Sequence, residues 1–312
     1  MKKNYLIKSI IILVICILLN NLYASGRVGL VLLNLNNEGK GSALSGAVVS
    51  EVSGGRSIYY NPAGLAELEY DEVSFSYTRW IENINIMNLG YATKKFNKIL
   101  YNGNICGNVI FMDEGELSKI GIEESDGYTM RSSSYGINIG YGKKISNFDF
   151  GLGLKFINNT IFGKNSFAAL LDIGIQKKYL SIPKSALKIG ASIRNLGFLT
   201  SVLKDSDLPP IQFSVAGSYL YSLKNNNYIT LLAQIDNSIE VPFTLRIGAE
   251  YSIKNQLFLR LGYSLINANM VEKYNGLSFG LGLISKRLNI DFAFIPVGIF
   301  GNAFQISGGL KF

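Results

Sequence analysis

The chain contains no histidine. That excludes Ser-His-Asp hydrolysis in its usual form and His-ligated metal sites. No catalytic residue, metal ligand set or cofactor site is therefore expected, and the chain reads as something other than an enzyme. Cysteine is almost absent too. Of the two present, Cys16 falls in an N-terminal leader, so Cys106 has no partner for an internal disulfide. Charge is sparse at 17%, although hydrophobic residues make up 48%. After residue 24 no apolar stretch approaches the ~18 residues of a membrane helix. No run of basic residues sits among aromatics, which excludes the usual nucleic-acid footprint. Glu38-Gly39-Lys40-Gly41-Ser42 is not a phosphate loop, because Gly41 separates the lysine from the serine and no strand–loop–helix context follows.

The N-terminus has the form of a secretory signal. Lys2, Lys3 and Lys8 precede an unbroken apolar run from Ile10 to Leu19, and Leu22-Tyr23-Ala24 supplies a small-residue cleavage site. The spacing predicts a signal peptide over 1–24. Its removal takes three lysines and no acids, and lowers the net charge from +8 to +5.

What the chain has in abundance is alternation. Val73, Phe75 and Tyr77 oppose Ser74, Ser76 and Thr78. Phe148, Phe150, Leu152, Leu154 and Phe156 oppose Asp149, Gly151, Gly153 and Lys155. Leu277, Phe279, Leu281 and Leu283 oppose Ser278, Gly280 and Gly282. A period of two with one apolar face marks a strand. Such segments recur at about the ~10 residues a tilted membrane strand needs. They predict fourteen strands at 72–83, 84–95, 98–112, 132–143, 147–159, 165–178, 186–197, 210–222, 226–237, 241–253, 256–267, 276–285, 287–296 and 302–312. Lipid solvates apolar side chains but leaves every backbone group to be bonded internally, so a closed sheet with an apolar outside fits. The fold class is all-β: a transmembrane antiparallel barrel over 72–312.

Connection lengths support one orientation. With the first strand running outward, the turns at 143–146, 223–226, 254–255 and 285–286 face the periplasm. The longer links 113–131, 198–209 and 268–275 face outside. Residues 113–126 hold six acids against Lys119, which reads as a solvated loop before it reads as a cation site. The last strand carries Phe312, Leu310, Gly308, Ile306 and Phe304 on one face and Lys311, Gly309, Ser307, Gln305 and Ala303 on the other. An ordinary buried terminal strand is one reading. The other resembles the C-terminal assembly signal of bacterial outer-membrane barrels, with Phe312, Leu310 and Phe304 as its apolar residues and the barrel assembly machinery as its reader.

Residues 25–71 do not alternate. Small residues from Gly41 to Val49 suggest a thin helix, and Tyr59-Tyr60-Asn61-Pro62-Ala63-Gly64-Leu65 follows. With so little bulk the segment fits inside a barrel as a plug. Gly41–Leu68, with the motif Asn61, Pro62, Ala63 and Gly64, resembles the N-terminal hatch of the FadL-type outer-membrane transporters. The likeness is nearest the PorV/PorQ-like branch. Ile193-Arg194-Asn195-Leu196-Gly197, Leu208-Pro209-Pro210, Gly248-Ala249-Glu250-Tyr251, Leu259-Arg260-Leu261-Gly262-Tyr263 and Gly276-Leu277-Ser278-Phe279-Gly280-Leu281-Gly282 follow in order. The resemblance implies a fourteen-stranded barrel plugged by its N-terminus. It also implies uptake of hydrophobic molecules such as long-chain fatty acids, with release sideways into outer-membrane lipid. Other members serve as outer-membrane partners in secretion complexes, and that role is the alternative.

By alternation the lumen face carries Asp149, Lys155, Asp172, Lys188, Arg194, Arg246, Glu250, Arg260 and Asp291. Buried charges need partners, so internal ion pairs and contacts to the hatch are the plain reading, with Glu250 expected to pair Arg246. The sharper reading gives Arg194, Arg246 and Arg260 to a carboxylate head group. Ile110, Met112, Ile157, Leu170, Leu220 and Phe258 are apolar lumen positions that either cover the hatch or line a greasy path. The candidate ligand residues are Arg246, Arg260, Phe258, Leu220 and Arg194.

Overall fold

In the computed structural model the residues described are 30–96, 99, 101–118, 129–161, 164–182, 185–200, 208–239, 243–266 and 276–312. The predicted leader 1–24 lies outside them, as do 119–126 of the acidic segment. Fourteen strands form one sheet: β1 (Glu72–Arg79), β2 (Asn85–Thr93), β3 (Gly103–Ser118), β4 (Thr129–Ile145), β5 (Phe148–Ile161), β6 (Lys164–Ile182), β7 (Ser185–Leu199), β8 (Gln212–Ser222), β9 (Tyr228–Ser238), β10 (Thr244–Ile253), β11 (Leu257–Ile266), β12 (Leu277–Ile284), β13 (Leu288–Pro296) and β14 (Asn302–Lys311). Each pairs antiparallel with its sequence neighbours, and β14 pairs with β1 from Glu72↔Lys311 to Arg79↔Phe304, closing the barrel. Closure leaves no strand edge to satisfy in lipid.

The predicted alternation sets the two faces. Phe75, Tyr77, Leu152, Leu154, Phe279 and Leu281 are exposed on the outer wall, while Ser74, Ser76, Asp149, Lys155 and Ser278 are buried within. Strand ends shift by a few residues, and β3 shifts most: it was expected over 98–112 and runs Gly103–Ser118. A bulge between Asp113 and Glu116, with Gly115 at φ 78, breaks the period of two there. Beyond it Glu116 pairs with Arg131, so part of the expected acidic loop is strand. The wall is uneven, since β4 and β6 span 17 and 19 residues but β1 and β12 only 8. Loop asymmetry is also milder than expected. The β1–β2 link at the outer end is tight, its Glu82-Asn83 pair in the left-handed region. At the other end the β2–β3 link occupies 94–102.

Residues 30–71 run through the lumen. The expected thin helix is a single turn, α1 (Gly39–Ala43), starting two residues earlier than expected. Glu38 caps it by accepting from the Gly41 and Lys40 amides at 2.6 and 3.0 Å. Ser45 and Gly46 then take positive φ and end the helix. The chain crosses from β12 and β13 to the opposite wall, where a 3₁₀ turn over Pro62–Glu67 meets β4, β5 and β6. Asn61 starts that turn: its Oδ1 accepts from the Ala63 amide at 3.1 Å, and its Nδ2 donates to the carbonyls of Val49 (2.9 Å) and Ile175 (3.2 Å). Pro62 occupies the first position, where a missing N–H costs nothing.

The barrel makes room with small inner-face residues. A Cβ on Gly151 would run into the Pro62 carbonyl, and one on Gly280 into Ala43. Leu44, Val48, Val49, Ile58, Tyr60 and Leu65 form the central cluster with Ala92, Cys106, Ala216 and Leu232 of the wall. Two satellite clusters join Leu30 to Ile157 and Leu170, and Leu32 to Ile110 and Met112. Four of the apolar lumen positions therefore cover the lumen segment.

Candidate functional site

Ionic contacts between wall and lumen segment dominate the interior. Arg260 on β11 donates from Nε to Glu250 (2.6 Å) and from a guanidinium nitrogen to Asp291 (2.6 Å). Asp291 also accepts from Arg56 at 2.6 Å, and Arg56 reaches Glu38 at 3.2 Å. Lys40 stands 3.6 Å from Glu250. Three cations thus balance three carboxylates, with Glu38, Lys40 and Arg56 from the lumen segment and the rest from β10, β11 and β13. Buried charges are tolerable in such a closed, hydrogen-bonded set.

The partner expected for Arg246 is corrected by the register. Glu250 lies directly across from Arg260, not beside Arg246. Residues four apart on one strand are about 13 Å apart. Arg246 instead bonds Asp236 on β9 through Nε and donates to the Ser45 carbonyl at 2.7 Å. Arg246 and Arg260 are therefore separate sites, each already neutralised.

Arg194 is committed as well. It donates to the Tyr59 carbonyl at 2.6 Å and to Gln212. Next to it, Asn195 takes φ 63 where the β6–β7 register shifts around Asp172. The bulge turns Arg194 and Asn195 inward together. Lys155 then bridges Asp172 (2.7 Å) and Asn195 Oδ1 (2.8 Å), while Asn195 Nδ2 donates to the Pro210 carbonyl at 2.9 Å. Alternation alone gave one inward residue here, not two.

Phe258 is buried against Tyr228, ring centroids 6.2 Å apart, and under the Arg260 guanidinium at 5.4 Å. It sits beside the β10–β11 turn, and Leu220 sits half-buried near the β8–β9 turn at the same end. The proposed ligand residues are thus not gathered: Arg246 lies toward one mouth, and Phe258 and Leu220 toward the other.

Two openings flank the lumen segment. At the outer end a cavity of about 340 Å³ lies between residues 34–45 and the ends of β10–β13. Leu35, Trp80, Leu277, Ile295, Pro296 and Val297 make its apolar walls, and Ser42, Ser45 and Arg246 its polar floor. Sequence reasoning missed this site except for Arg246. The chain's one tryptophan at a strand end and the Pro296-Val297 break after β13 were the available signals. At the other end a vestibule of about 620 Å³ is lined by Arg56, Glu67, Glu72, Lys144, Lys178, Lys188 and Lys311 among others. Lys188 is held by Glu67 at 3.0 Å.

No family model and no curated protein matches the chain. Solved structures do. The chain superimposes over 89% of its length on 98% of the CymD monoaromatic hydrocarbon channel, at 11% identity and TM-score 0.59. It covers 100% of the TodX monoaromatic hydrocarbon channel in its deltaS2 mutant form (12% identity, TM-score 0.53), again over 89% of itself. Similar coverage, 89% and 99%, relates it to the Ralstonia pickettii toluene transporter TbuX at 11% identity and TM-score 0.50. The chain shares the closed-barrel fold of these channels. At these identities the likeness is one of architecture, and no residue role is carried across. What belongs to this barrel itself is the pairing of an apolar cavity at the β1–β2 end with a charged vestibule at the other, separated by a lumen segment tied to the wall at both sides.

Proposed function

We propose that the chain is an outer-membrane transporter for small hydrophobic molecules. Residues 30–71 act as its hatch, and the ligand leaves sideways through the wall. The outer cavity carries this reading: it offers apolar walls to the exterior and a polar floor built partly from the hatch. The architecture shared with channels named for monoaromatic hydrocarbons and toluene supports it. The vestibule beyond the hatch is rich in lysine and a poor route for an apolar solute, which favours exit into lipid.

The cavity also speaks to ligand size. An apolar void of about 150 Å³ accepts benzene, so about 340 Å³ suits a substituted ring better than a long acyl chain. Arg246 is neutralised by Asp236, so the floor carries no net charge to draw a carboxylate. Neutral ring-sized molecules are therefore preferred here over long-chain fatty acids.

The test is uptake of labelled toluene and labelled oleate by cells with and without the protein. Faster toluene uptake, reduced when Leu277 or Val297 is replaced by Asp at unchanged folded level, is expected. Oleate uptake alone would restore the fatty-acid reading. No uptake of either, together with a partner that co-purifies in fixed ratio, would favour the PorV/PorQ-like role in a secretion complex.

A further inference from the structure

The rim that bears the short turns differs from the rest of the outer wall. Between the β10–β11 and β12–β13 hairpins lies a crevice of about 780 Å³ on the membrane-facing side. Leu283, Leu288 and Ile290 line it below, and Lys254 and Lys286 flank it at the hairpin tips. The hairpins are joined by the Ile284 amide donating to the Gln256 carbonyl at 2.8 Å, which fixes the spacing of the tips. Lys254 and Lys286 are exposed, and among the described residues neither has a carboxylate partner.

The same combination recurs around the rim. Lys177 lies over the rings of Phe148 and Tyr179 at 4.1 and 4.5 Å, and Lys143 over Tyr101 at 5.9 Å. Aromatic rings beside cationic side chains are the chemistry of a bilayer interface, where the ring sits at headgroup depth and the ammonium reaches the phosphate. Among the described residues the opposite rim is not basic: Arg79 and Lys164 stand against Glu82, Asp113 and Glu114.

We propose that the crevice between the β10–β11 and β12–β13 hairpins binds an anionic phospholipid of the periplasmic leaflet. Its phosphate meets Lys254 and Lys286, and an acyl chain lies along Leu283, Leu288 and Ile290. The site rests on the outer-membrane reading, since outer-membrane barrels turn their short links to the periplasm. A basic cluster beside a membrane gains from anionic lipid, and the aliphatic floor adds what a soluble anion cannot use. Lys144, Lys178 and Lys311 line the vestibule instead, together with Glu67, Glu69 and Glu72.

The test uses the full mature chain folded in detergent, titrated with phosphatidylglycerol or phosphatidylcholine of identical acyl chains and followed by native mass spectrometry. Inorganic phosphate and lipopolysaccharide serve as competitors. Tighter binding of phosphatidylglycerol is expected, weakened about fivefold for each of Lys254→Gln and Lys286→Gln and unchanged in Lys164→Gln at the other rim. Equal binding of the two phospholipids, displacement by inorganic phosphate, preference for lipopolysaccharide, or wild-type affinity in the double variant would each overturn it. Heat-modifiable gel migration separates the cases. A chain that never forms a detergent-stable barrel undermines the membrane reading, whereas a stable barrel indifferent to phosphatidylglycerol removes only this site.

Discussion

Arg260 contributes most through the carboxylates it leaves behind when removed. Glu250 and Asp291 both accept from it, and both are almost fully buried. Arg260→Ala is expected to cost about 3–5 kcal/mol, the usual penalty for stranding buried charge, read as a lower urea midpoint in detergent. Because the guanidinium is spent on these two acids, uptake per folded molecule should stay unchanged. Lost uptake at unaltered stability would instead place Arg260 on the ligand path. Alternation identified these inward charges correctly but could not pair them. Which acid meets which base depends on cross-strand register, and ten residues separate Glu250 from Arg260 around a turn whose length had to be known. The inward pair Arg194 and Asn195 was hidden for a related reason: a bulge adds one residue and leaves no mark in a period of two.

At the scale of elements, the strands were legible because each repeats one rule, apolar out and small or polar in, against a uniform solvent. The lumen segment follows no period, since its surroundings change from residue to residue. Its helix was overestimated because small residues allow a helix without requiring one, and Ser45 and Gly46 turn the chain after a single turn. What holds it is specific bonding. Asn61→Ala would leave the Ala63 amide without its cap and remove the bonds to the Val49 and Ile175 carbonyls, at a cost of about 1–3 kcal/mol. A thermal midpoint equal to wild type would show that the capped turn is unimportant. Conductance of the intact protein in planar bilayers is expected to be small, and removing residues 30–68 should raise it. Should that deletion fail to fold, Gly151→Leu offers a milder route, because its side chain must displace Pro62 from the wall. Large conductance before either change would contradict a hatch.

Closure is a property of the whole molecule, and it concentrates at one seam. β1 and β14 are the most distant strands in sequence, yet they pair from Glu72↔Lys311 to Arg79↔Phe304. Beyond the last pair the Phe312 amide donates to the Asp71 carbonyl at 2.9 Å, while Phe304 packs on Phe294 with centroids 5.2 Å apart. Deleting Phe312 should lower the amount of folded protein in the membrane, whether it acts as an assembly signal or as the final clasp. Asp71 offers a way to probe the same end in the folded barrel. Its carboxylate accepts from the Thr93 hydroxyl at 2.9 Å and the Lys94 amide at 3.0 Å, and pairs with Lys95 at 3.4 Å. Partial burial pushes this carboxyl up, but the Lys94 amide, the Thr93 hydroxyl and Lys95 outweigh it and hold it below the usual carboxylate range. A group depressed in the folded state stabilises above its unfolded pKa, about 3.9, and that stability is lost as pH falls through the lower folded value. Asp71→Asn should therefore be less stable than wild type at pH 7, with the gap narrowing below about pH 4 and closing as Asp71 protonates. Unfolding midpoints measured from pH 7 to pH 3 check this, and a gap that persists unchanged to the acid limit would mean that the Asp71 charge does not help tie the start of β1 to the β2–β3 link.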